Sequence, residues 1–100
     1  MANAAPSRDL FPGEELISEG LAALAAREET VASLLVSMAS RRLTALGDVV
    51  AEPFADPERR LYLMLEGELG TAAHSRYNAL VRQLLSYCSA KEQDARRRKR

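Results

Sequence analysis

Apolar residues recur along this chain at helical spacing, and the longest such stretch is AHSRYNALVRQLLSYCSA, residues Ala73 to Ala90. Stepping about 100° per residue gathers Ala73, Tyr77, Leu80, Val81, Leu84, Leu85, Tyr87 and Cys88 on one side and Ser75, Asn78, Arg82, Gln83, Ser86 and Ser89 on the other. The apolar sector spans about 160°, wider than the ~100° stripe of an ordinary surface helix. The pattern therefore predicts a helix that touches several others and around which the chain is organised. Lys91 falls inside the stripe, so its packing is expected to stop near Ala90.

Four shorter patterns precede it. Pro12 suits a first helical position and Glu14 and Glu15 suit the positive end of a helix dipole, which predicts a helix burying Leu16, Ile17, Gly20, Leu21, Ala23 and Leu24 and ending near Ala26. Thr30 is an N-cap for a second helix carrying Val31, Leu34, Leu35 and Met38. Extended as one helix to Leu46, that segment places Arg42 in the middle of its apolar face. A break near Ser40, with Ser40 capping a short helix that buries Leu43 and Leu46 before Gly47, instead frees Arg42 to reach water.

Gly47 to Ala55 reads as a connection pinned by Val49, Val50 and Phe54. Asp56-Pro57-Glu58 then combines an N-cap acceptor, a proline at the first helical position and an acid beside it, and so predicts a helix through Leu61, Met64 and Leu65 that ends at Gly67. On that helix Leu63 points away from Leu61, Met64 and Leu65, so the helix is either buried on several sides or exposed at Leu63. Glu68 to Gly70 turn the chain and Thr71 caps the long helix.

The fold class expected is all-α, a compact bundle of four or five short helices. Composition agrees, with 17 Ala and 15 Leu against one Ile and few aromatics. The helical domain is placed at residues 10–90, behind a flexible N-terminal segment at 1–9 and ahead of a basic tail at 91–100. Net charge is zero, yet the last ten residues hold six Lys or Arg against Glu92 and Asp94, a balance of +4 that leaves −4 on the rest.

Candidate chemistry is sparse. His74 and Cys88 are the lone members of their types, and 14 residues of one helix hold them about 21 Å apart, which rules out a Cys-His pair. No zinc-ligand set, Glu-x-x-His pair or phosphate-binding glycine loop occurs, so no catalytic residue, cofactor or metal is expected. His74 reads as a boundary residue and Cys88 as a small core side chain. A single cysteine and no secretory leader point to the cytoplasm, and no apolar run approaches the ~20 residues that cross a bilayer.

Two candidate sites remain. Ser33, Ser37, Ser40 and Thr44 line one face with small hydroxyls where a solvent face usually carries charge, which suits a tight internal helix contact, a plain polar surface or a protein-interaction face. Arg41, Arg42, Arg59, Arg60, Arg96, Arg97, Arg98, Lys99 and Arg100 are candidate nucleic-acid contacts, because a basic tail neutralises phosphates without reading bases. Against this, the body is acidic and the tail lacks aromatics for stacking. The function expected is a non-enzymatic protein-interaction or regulatory module that binds a protein partner or itself, with nucleic-acid association through the tail as the alternative and no membrane involvement.

Overall fold

The structure, a computed structural model, describes residues 11–98; the expected flexible segment at 1–9, and Lys99 and Arg100, lie outside the described residues. Five α-helices occur among them: α1 (Glu14–Ala25), α2 (Val31–Met38), α3 (Ser40–Ala45), α4 (Pro57–Leu69) and α5 (Ala73–Arg98), with a 3-10 turn at Gly70–Ala72 joining the last two. The described chain has no strand, and the fold is all-α.

α2, not α5, is the central element. It packs against α1, α4 and α5, and six of its eight residues, Ala32 to Ser37, are buried. Its start follows from Thr30, whose side chain accepts from the Ser33 amide N–H at 3.0 Å while the Ser33 hydroxyl accepts from the Thr30 amide N–H at 2.7 Å. α1 lies against α2 through Ile17, Gly20, Ala23 and Leu24. At Gly20 the approach is close, because a Cβ built there would sit 2.4 Å from the Ala32 carbonyl oxygen.

The C-termini of α1 and α3 close with the same motif. After α1, the Glu28 amide N–H donates to the Ala23 carbonyl and the Arg27 amide N–H to that of Leu24; after α3, Asp48 and Gly47 donate likewise to Leu43 and Thr44. The motif needs a left-handed residue. Gly47 takes that position without strain at φ 100°, whereas Arg27 takes it at φ 59°. The Arg27 side chain holds its own turn, donating to the Glu52 carbonyl at 2.6 Å and lying 4.7 Å from the centre of the Phe54 ring.

The expected break after α2 is present, at Ala39, but Ser40 is the first residue of α3 and makes no capping hydrogen bond. Leu43 is fully buried and Leu46 partly so. In the connection that follows, Val50 and Phe54 pack on the core as expected, but Val49 is 91% exposed. Alternation in a short loop is set by where its anchors fall, and here they are Asp48, Val50 and Phe54.

Asp56 precedes α4 in a left-handed conformation, and its carboxylate makes no capping bond; Pro57 does occupy the first turn. Leu61 and Leu65 are buried and Leu63 is 53% exposed. Gly67 does not end the helix, which continues to Leu69 before Gly70.

α5 does not stop at Ala90. It continues to Arg98, so the basic stretch is helical as far as the structure describes it. The reason is tertiary: Lys91 donates to Asp48 at 3.1 Å and Glu92 accepts from Arg42, so two charged residues that break the apolar stripe find partners on α3 and the loop behind it. Ala73, Leu80, Leu84, Tyr87 and Cys88 are buried, and Tyr77 and Val81 partly buried. Leu85, expected in the same stripe, is 47% exposed.

Candidate interaction surface

Leu85 is 47% exposed although its neighbour Leu84 is buried: α4 and α2 pack on α5, whereas α3 is held to it through the Arg42–Glu92 pair. Between α3 and α5 this leaves an open groove of about 530 Å³. Met38, Ala39, Val81, Leu84 and Leu85 supply its apolar surface, Ser40, Arg41 and Arg42 edge it from α3, and Glu58 edges it from the start of α4.

Arg42 closes one end. Its Nε and Nη2 donate to the two carboxylate oxygens of Glu92 at 2.9 and 3.0 Å, a fork that fixes the plane of the guanidinium. The hydrogen bond to Glu92 raises Arg42 above its ordinary value and holds the Glu92 carboxyl below the usual carboxylate range. Arg42 does reach water, its side chain 40% exposed, and is paired as well.

On the adjoining side of α5, the Tyr87 hydroxyl donates to Asp48 at 2.9 Å beside the Lys91–Asp48 pair, and Phe11 meets the Tyr87 ring edge-on. Burial raises the Tyr87 phenol, and the hydrogen bond to Asp48 adds to it. This cluster fastens the loop after α3 to α5. Cys88 lies between the two charged clusters, fully buried, with its thiol pushed up by burial, which leaves it a poor nucleophile. His74 is exposed on the first turn of α5, near Asn78 and the edge of Tyr62. Among the described residues, no group of three or more His, Cys, Asp or Glu side chains is placed to hold a metal ion. No helix there is long and apolar enough to cross a membrane.

The hydroxyl face does not form a single surface. Ser33 and Ser37 are buried inside the fold, where the Ser37 hydroxyl donates to the Ser33 carbonyl at 2.8 Å and accepts from the Phe54 amide N–H at 3.2 Å. Ser40 edges the groove, and Thr44 is exposed with its hydroxyl turned back to the Ser40 carbonyl at 2.8 Å. As a four-residue interaction face the set is therefore corrected: lack of charge on α2 reflects close internal packing, one of the other origins that such a face admits.

The basic residues divide. Arg42, Arg60 and Arg98 pair with Glu92, Glu29 and Asp94, whereas Arg41, Arg59, Arg96 and Arg97 are exposed and form no ion pair among the described residues. Sequence reasoning missed the groove, although the 160° width of the α5 sector was its signal, since a sector that wide needs more cover than the neighbouring helices provide. Comparison with protein-family models, curated proteins and solved structures found no match to the chain.

Proposed function

We propose that this chain is a small non-enzymatic interaction or regulatory module that presents the α3–α5 groove to a protein partner or to a second copy of itself. One observation carries the reading: Leu85, half exposed, lies with Val81, Leu84 and Met38 in a concavity rather than alone on a convex surface. A single exposed leucine is ordinary; a concave apolar group edged by charges is the usual anatomy of a contact site. A cytoplasmic location belongs to the same proposal and rests on the single, buried cysteine.

A photo-crosslinking side chain placed at Leu85, with a control at Ser86 on the exposed polar side of α5, tests it in cells that naturally produce the chain. A discrete adduct from position 85 alone is the expected result, and its mass separates a second copy from another protein. Equal labelling at both positions, or none, refutes the reading.

The second reading is association with nucleic acid, supported by the exposed side chains of Arg96 and Arg97 on a helical, basic end. Its signature is binding that weakens with salt at a log-log slope of about −0.9 per duplex phosphate neutralised and that is lost on removing residues 96–100. Absence of binding at low salt sinks it.

A further inference from the structure

The chemistry around the groove narrows the partner. Its floor is aliphatic throughout, with no aromatic ring on which a base stacks, so a polyanion leaves Leu85 uncovered. An all-helical surface without strand edges accepts a segment through side chains alone, and a channel between two helices suits a third helix with apolar residues at i and i+4. The flank contributed by α3 is positive. Arg41 is exposed and forms no ion pair among the described residues, and Arg42 uses only Nε and Nη2 on Glu92, leaving Nη1 for another acceptor. Arg96 stands one turn beyond Glu92 on α5, extending that flank. Glu92 and Arg42 neutralise each other, so the surplus positive charge beside the groove belongs to Arg41 and Arg96, against the one acid on the opposite edge, Glu58 in the first turn of α4.

We propose that the α3–α5 groove binds an acidic amphipathic helix of a partner protein, whose aliphatic side chains cover Leu85, Val81 and Met38 while its carboxylates meet Arg41 and Arg42. The inference rests on the reading of the groove as the interaction surface, and adds the sign and shape of what it binds. A guanidinium pairs with a carboxylate in a directed, two-pronged geometry, so Arg41 also fixes the orientation of the bound helix, while Arg42 adds a single-pronged bond through Nη1.

The test uses two labelled synthetic helical peptides with the same leucine face, one flanked by glutamate and the other by lysine, titrated by fluorescence anisotropy against the full chain. The glutamate peptide is expected to bind at least about tenfold more tightly than the lysine peptide. Arg41→Glu should bring the two affinities together, and Leu85→Asp should abolish both while the circular dichroism spectrum stays that of the native fold. If Leu85→Asp does not fold, Leu85→Ser carries the same test.

Equal binding of both peptides, lost in the position-85 variant, overturns the acidic specificity and leaves the groove reading standing. Failure of both peptides to bind overturns the inference. Glutamate-peptide binding that ignores position 85 and is displaced by a duplex oligonucleotide overturns it in favour of a general anion-binding surface. Light scattering that shows a stable dimer broken by Leu85→Asp overturns it in favour of a second copy as the occupant.

Discussion

Adding one methyl group at Gly20 should destabilise the protein, although the same change elsewhere in a helix stabilises. A Cβ at position 20 would lie 2.4 Å from the Ala32 carbonyl oxygen, 2.9 Å from its carbon and 2.7 Å from Val36 Cγ1, whereas ordinary contacts begin at 3.4 Å. α1 must therefore move off α2 by about 1 Å, and a gap of that size forfeits a quarter to a half of each dispersion contact across the interface. The obstacle is backbone of the central helix, which has no rotamer to offer, so the cost belongs at or above the top of the 1–3 kcal/mol range for overpacking. Alanine returns about 1 kcal/mol of helix propensity. The net loss is about 2 kcal/mol, which lowers Tm by roughly 10 °C in a domain of this size. Gly67 is the internal control: it is helical, and a Cβ there meets nothing within 4 Å, so Gly67→Ala should gain about 0.5–1 kcal/mol. Urea denaturation of the three proteins measures both signs. A Gly20→Ala protein as stable as the parent would show that α1 and α2 are not in the close contact described.

Neighbouring leucines of α5 should separate sharply: Leu84→Ala should cost about 2–5 kcal/mol as a buried truncation, Leu85→Ala under about 1 kcal/mol because that side chain is already half in water, and chemical denaturation that ranks them equally would contradict the exposure of Leu85. Ser37→Arg should unfold the protein, since it forces a guanidinium into a buried site and removes the acceptor of the Phe54 amide; a native circular dichroism spectrum would refute that placement. Glu92 should contribute to stability above the ordinary carboxylate range, because Arg42 lowers its value in the folded state, and that contribution should be lost as the pH falls through the lowered value. The stability gap between the parent and Glu92→Gln, followed by denaturation from neutral to acid pH, should therefore close at the acid end, and a gap constant with pH would exclude the pairing.

Local chemistry made most of the helices legible. Thr30 with the apolar run after it announced α2, and the conflict over Arg42 announced the break before α3. What the helical wheel reports is direction, not cover: Leu84 and Leu85 share a sector, and only the packing of the other helices decides which of them is roofed. The same limit left the hydroxyl face open among several readings, because low charge marks a close contact without saying whether the neighbour belongs to the same chain. Lys91 looked like a terminator because its partner, Asp48, lies 43 residues away in a loop with no periodic pattern. Gly67 and Asp56 were misread for a related reason. A helix ends or caps where tertiary packing allows, and a residue suited to that role is not compelled to perform it.

α2 poses a problem that burial cannot solve. With Ala32, Leu34, Leu35 and Val36 all enclosed, apolar attraction itself has no direction, and beyond the close fit of Gly20 against Ala32 and Val36 the aliphatic contacts do little to set the rotation of the helix about its axis. Ser37 chooses. Its hydroxyl is tied to the helix itself through the Ser33 carbonyl, a bond that turns with the helix, and to the connection before α4 through the Phe54 amide, a bond that depends on the azimuth. A buried polar contact of this kind adds less to the depth of the native well than to its narrowness. The oxygen of one serine therefore acts as a key, giving a helix that is greasy on nearly every side a preferred angular position against the loop that carries Phe54.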